Sequence, residues 1–182
     1  MPFYKKGFTL IEVLAVVLII GILVAVALPE YKTAMLNSRL STLMGNVKTI
    51  ASDLEVYHLT WGDYPPVNDL SQLDLDIAQC SESGGSISCQ NGNAYSFGIS
   101  ADDKPIGGFL GKSQGLAYVQ YLQQDPNPSK RNQRQCWADS ANKLANNVCL
   151  NLEGELVGTS EWRSASALGH TTAVWNVYSL NN

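Results

Sequence analysis

The chain has 182 residues, room for one domain and an appendage, and 45% of them are hydrophobic. Its formal charge is −4, and no basic block exceeds the short cluster of Lys130, Arg131 and Arg134, which argues against a nucleic-acid groove. Hydrophobicity is unevenly spread: from Phe8 to Leu28 the only ionisable side chain is Glu12, and after Pro29 the sequence turns polar and rich in Gly, Ser, Asn and Gln.

Residues 1–28 admit three readings. Lys5 and Lys6, the apolar run and the "AVA" of Ala25–Ala27 resemble a secretory signal peptide with its cleavage site. Phe8–Leu28 at ~1.5 Å per residue gives roughly 30 Å, enough for a plain membrane anchor with its N-terminus held in the cytoplasm by the lysines. Neither reading has a use for Glu12. A carboxylate in a membrane-length segment costs several kcal/mol to dehydrate, so its presence points to function.

The third reading gives Glu12 a role. The stretch "KKGFTLIE" closely resembles the processing site of type IV prepilins and type II secretion pseudopilins. The resemblance implies a leader at Met1–Gly7, cleavage between Gly7 and Phe8 by a membrane prepilin peptidase that also methylates the Phe8 amine, and Glu12 as the fifth mature residue. It further implies that Glu12 pairs with the N-terminal amine of a sister subunit in a filament, and that an inner-membrane assembly platform builds that filament. Before assembly, residues 8–28 would sit in lipid as a single span, with the head outside the cytoplasm. The pairing is physically sound. An α-amine with a reference pKa near ~8 is largely cationic at neutral pH, and opposite charges in a dry setting each make the other less costly to bury. The implied product is a structural subunit of a pilus-like filament, extracellular or periplasmic. A secretion pseudopilin is the alternative, and a membrane-tethered binding domain a more distant one.

Pro29 lacks the amide hydrogen of an interior helical residue and should kink the helix or loosen its preceding turn. Residues 29–62 continue as helix. Leu36, Leu40, Leu43, Val47, Ile50, Leu54, Tyr57 and Trp61 step by fours and threes along one face, and Lys32, Asn37, Arg39, Asn46, Lys48, Asp53 and Glu55 occupy the other. That stripe suits packing on a sheet of the same chain. Gly62 is a helix stop before the turn "GDYPP".

The head, residues 63–182, reads as short strands and loops. "AYSFGI" (94–99), "GLAYVQYL" (115–122) and "AVWNVYSL" (173–180) carry the aromatic and β-branched pattern of strands. "LSQLDLDI" (70–77) reads equally as a short helical turn or an edge segment. "CSESGGSISCQNGN", "DDKPIGG" and "DPNPSKRNQRQ" read as turns and loops, and 136–152 as a small helical hairpin tied by a disulfide. The fold class is therefore α+β, a long N-terminal helix packed on a small antiparallel sheet, which matches the pilin fold.

Cys80, Cys89, Cys136 and Cys149 are an even set behind a membrane-targeting segment, the mark of disulfides in an oxidising compartment. Of three pairings, Cys80–Cys89 and Cys136–Cys149 are favoured because each brackets a short, turn-rich loop. The intervals of eight and twelve residues do not suit a zinc knuckle. "GGFLGKS" (107–113) fails as a phosphate loop because Ile106 stands where the first Gly is required. His58 and His170 have no ligand at metal spacing, and His58 suits packing at the helix end. Asp102 and Asp103, or Glu153, Glu155 and Glu161, offer carboxylates without a recognisable calcium motif. No Ser or Cys stands in a nucleophile motif. The four tryptophans suit core or subunit contacts. No cofactor, no metal and no catalysis is expected.

Overall fold

The computed structural model of the protein describes residues 7–66, 69–83, 85–98, 105–110, 114–161 and 174–180. The chain divides into two compact units, Met1–Met35 and Leu36–Asn182. Residues 1–6 of the expected leader, Asp102, Asp103 and His170, and the side chain of Glu161 lie outside the described residues.

Helix α1 (Leu10–Trp61) begins in the first unit. Its side chains from Leu10 to Leu28 are exposed all round, and its most apolar 18-residue stretch has a mean hydropathy of 3.1, long and apolar enough to cross a membrane. Pro29 lies inside α1, where the carbonyl one turn earlier loses its usual donor. One turn later Thr33 donates its hydroxyl back to the Pro29 carbonyl at 3.1 Å.

In the second unit the apolar stripe of α1 forms one wall of the core. Leu36, Leu40, Leu43, Val47, Ile50, Ala51 and Leu54 are buried, and each large aliphatic side chain removed from water contributes about 1.5–3 kcal/mol. The expected stripe runs two residues too far. Tyr57 turns its hydroxyl to Gln72 Oε1 at 2.6 Å, and Trp61, beside it with ring centroids 6.2 Å apart, is 73% exposed. Gly62 ends the helix with φ +82°, its N–H donating to the His58 carbonyl at 2.8 Å.

Among the described residues the sheet has eight strands, more than the sequence shows: β1 (Cys80–Ser83), β2 (Ser86–Cys89), β3 (Ala94–Phe97), β4 (Pro105–Leu110), β5 (Leu116–Tyr121), β6 (Arg134–Asp139), β7 (Glu155–Glu161) and β8 (Val174–Leu180). All neighbours pair antiparallel, in the order β1-β2-β3-β4-β5-β6-β8-β7. The two serine-rich limbs of "CSESGGSISC" are thus a hairpin and not a loop, and "PIGG" belongs to β4. Residues 70–77 contain a turn closed by Leu73 N–H on the Leu70 carbonyl at 3.1 Å, not a strand. Residues 136–152 are also corrected: the first limb is strand β6, and only the second is helical, α2 (Lys143–Asn151).

Alternation along the strands sends Ile106, Leu110, Tyr118 and Tyr178 into the cluster under α1, while Phe109, Val119, Trp137 and Trp175 form a second buried cluster. Helix α1 packs over Gly108 of β4, where an added Cβ would stand 2.6 Å from Val47 Cγ2. Helix α2 is capped by Asn142, whose Oδ1 accepts from Ala145 N–H at 3.2 Å. Asn146 ties α2 to β8, its Oδ1 accepting from Asn176 Nδ2 and Tyr178 Oη, both at 2.7 Å.

Cys80 and Cys89 are directly opposite one another on β1 and β2 and are disulfide-bonded. Cys136 of β6 is bonded to Cys149 of α2, stapling helix to sheet. Closing loops of this length stabilises by about 2–3 kcal/mol through the unfolded chain. Cys136 and Cys149 are also fully buried, whereas Cys80 and Cys89 are partly exposed. Replacing both members of a pair by serine should therefore lower stability more at Cys136–Cys149, because two hydroxyls would be buried as well. Urea unfolding of the two double variants, with non-reducing peptide mapping of the wild type, checks this. Equal losses would show that only chain entropy matters.

Candidate functional site at the N-terminal helix cap

Four residues make the site: Gly7, Phe8, Thr9 and Glu12. Gly7, Phe8 and Thr9 precede the helix, so the Gly7–Phe8 bond lies in non-helical backbone. An added Cβ at Gly7 would meet nothing within 4 Å. Packing among the described residues therefore does not require glycine there. Phe8 is 87% exposed, a large apolar ring with no cover of its own.

Thr9 is the N-cap of α1 and Glu12 its third helical residue, which is the spacing of a capping box. Thr9 N–H donates to Glu12 Oε2 at 2.8 Å, the Thr9 hydroxyl donates to the same oxygen at 2.6 Å, and Glu12 N–H approaches Thr9 Oγ1 at 3.4 Å. Two donors that an exposed helix start would leave without partners are thus satisfied, and the carboxylate also lies at the positive end of the helix dipole. Both bonds to Glu12 fall on Oε2. Among the described residues none donates to Oε1. Sequence reasoning attached Glu12 to a partner molecule and missed this local role, although Thr-x-x-Glu before an apolar run is a readable cap signature.

Among the described residues no three of His, Cys, Asp and Glu stand together as a metal site. Glu153, with φ +59°, and Glu155 are exposed. His58 stacks on Tyr64, ring centroids 4.5 Å apart. Glu55, expected on the solvent face, instead latches the β5–β6 connection: Oε2 accepts from Tyr64 Oη at 3.0 Å and Oε1 from Gln123 N–H at 2.7 Å. Burial there pushes the Tyr64 phenol well above its ordinary value.

An apolar helix long enough to cross a membrane, with a capped carboxylate at its start, in a chain whose head is a helix on an antiparallel sheet, is an arrangement consistent with a pilin fold. Comparison with known proteins narrows this. Residues 3–28 match the family described as the prokaryotic N-terminal methylation motif. A type IV major fimbrial protein, FimA, of Dichelobacter nodosus is 32% identical over 108 residues, 57% of this chain and 69% of that protein. The type II secretion system core protein G of Pseudomonas aeruginosa is 38% identical over 61 residues, 34% of this chain and 43% of that protein. A fimbrial protein of Neisseria meningitidis serogroup B is 35% identical over 92 residues, 48% of this chain and 52% of that protein, so the chain spans about half or less of these last two relatives. No solved structure gives a significant match. The chain belongs to the type IV pilin and type II secretion pseudopilin family.

Proposed function

We propose that this protein is a non-enzymatic structural subunit of a type IV pilus-like filament, polymerised through its N-terminal helix. The observation that carries the reading is Glu12, a carboxylate kept at the start of a helix whose residues as far as Leu28 are otherwise exposed and apolar. A plain anchor would be more stable in lipid without it. Its bonds to Thr9 satisfy one carboxylate oxygen and leave the other to accept from a cation.

In this reading prepilin peptidase cuts the non-helical Gly7–Phe8 bond on the cytoplasmic side and methylates the new amine. Residues 8–28 hold the subunit in the inner membrane, head outward, until the assembly platform moves it into the filament. The ammonium of a neighbour's Phe8 then meets Glu12, and the exposed side chains from Phe8 to Leu28 exchange lipid for sister helices. Pro29, with one helical bond missing, is where α1 yields most easily as the helices pack.

The match to protein G supports a second reading, a pseudopilin of a type II secretion system. The longer alignment to FimA, which reaches into the head, favours the pilus.

Mass spectrometry of the mature N-terminal peptide is the test. It should find N-methylated Phe8 at the first position. A mature chain starting at Leu28 would establish a cleaved secretory signal and remove the filament reading.

A further inference from the structure

Helix α1 has two flanks in the head, and different parts of the sheet and its connections lie beside them. Leu43 and Val47 face Gly108 of β4, so the residues to either side look along the sheet in opposite directions. On one flank a groove of about 400 Å³ is walled by Gly45 and Lys48 of α1 and by Tyr118, Gln120, Asn132 and Arg134 of β5, β6 and their connection. Its two charged walls are both cations, and the Arg134 guanidinium donates to the Tyr118 phenol oxygen. On the other flank Asn46 bonds to Tyr95 of β3 at 2.7 Å, and Tyr57 bonds to Gln72 in the segment leading to β1. That segment runs "LDLDI": Leu73, Leu75 and Ile77 pack on the core, and Asp74 and Asp76 between them are exposed. In extended chain, alternate residues share a face at about 6.6–6.8 Å. The pattern presents two carboxylates outward on a rail that three apolar side chains pin down.

We propose that the groove is the docking site for a second copy of this chain, taking the neighbour's Asp74 and Asp76 against Lys48 and Arg134. Charge complementarity selects the occupant: two cations in a groove on one flank, two carboxylates on a pinned rail on the opposite flank. The two surfaces are different, so the contact is heterologous, and a heterologous contact that does not close generates an open polymer. The inference rests on the filament reading and adds to it a lateral contact between heads, independent of Glu12.

The test uses the full-length chain in cells that make the filament, reading the sheared-filament fraction against the cleaved membrane pool. Lys48→Glu with Arg134→Glu should lower filaments about tenfold or more, because like charges then face each other across the contact. Asp74→Lys with Asp76→Lys should do the same, and combining all four should restore assembly. Separately, Lys48→Cys with Asp76→Cys should give disulfide-linked dimers and longer ladders in oxidised filaments, and neither single variant should. Reversals that assemble like wild type overturn the proposal. Where a reversal fails and the four-fold swap does not rescue it, cross-linking decides: ladders uphold the contact, and their absence from intact filaments overturns it. Glu12→Ala in the same strains separates the two readings. Filaments that depend on Glu12 but ignore the charge reversals sink only this contact, whereas a chain that makes no Glu12-dependent filament sinks both.

Discussion

Replacing Glu12 by alanine should leave the protein cleaved and in the membrane but remove most of its filaments. Insertion should not suffer, because the change takes a charge out of an apolar span. Cleavage should not suffer, because Gly7 and Phe8 stay as they are. Assembly fails because a neighbour's Phe8 ammonium would be buried without a counter-charge, at a cost of about 3–5 kcal/mol, and ~1.4 kcal/mol is already tenfold in an equilibrium. The cap offers a competing explanation, since alanine also frees the Thr9 N–H and hydroxyl that Glu12 holds at 2.8 and 2.6 Å. Glu12→Gln separates the two. Glutamine at the third helical position still completes a capping box but carries no charge. The expected result is that glutamine fails nearly as badly as alanine, that aspartate is intermediate, and that Thr9→Ala, which removes only a cap worth ~1 kcal/mol, is mild. Gly7→Leu should leave an uncut precursor. The sheared-filament fraction beside the cleaved membrane pool measures all five. Glutamine assembling like wild type would mean that the cap, not the charge, is what the filament needs.

The long helix and its buried face were legible because their signal is repeated: leucines and valines at helical spacing from Leu36 to Leu54 leave one face to bury. Three strands were legible where aromatic and β-branched residues cluster, in β3, β5 and β8. The others hid for reasons that are local. Strands β1 and β2 are half serine, with Ile87 their one β-branched aliphatic residue and no aromatic, and are held by register and a disulfide across Cys80 and Cys89. Strand β4 opens with Pro105 and carries Gly107 and Gly108, which read as a turn until a helix is laid over them. Strand β6 starts on Arg134 and Gln135, polar residues that the sheet places beside β5 and β8. At the site, a family motif drew attention to Glu12 and away from Thr9. The bond between them spans three residues and was the more readable of the two.

At Gly108 the strand runs directly beneath Val47 and Leu43 of α1, and Gly108→Ala should destabilise the head. The added Cβ would stand 2.6 Å from Val47 Cγ2 and 3.1 and 3.2 Å from Leu43 Cγ and Cδ1. Val47 and Leu43 are both completely buried, so neither side chain can swing into solvent. Relief requires α1 to lift off β4 or a side chain to leave its rotamer, and overpacking of this kind costs about 1–3 kcal/mol. Gly108→Val should be worse, since the branched side chain adds two more carbons where one does not fit. The clash has an identifiable partner, which makes it testable by a double-mutant cycle. Val47→Ala alone opens a cavity and should itself destabilise. In the Gly108→Ala background the same change removes the nearest clashing methyl, and its cost should fall or reverse sign. The pair should then couple by roughly 1–2 kcal/mol, within the range seen for residues in contact. Urea unfolding of the four proteins measures it. Strict additivity would place the cost of Gly108→Ala in the strand itself rather than in the approach of α1.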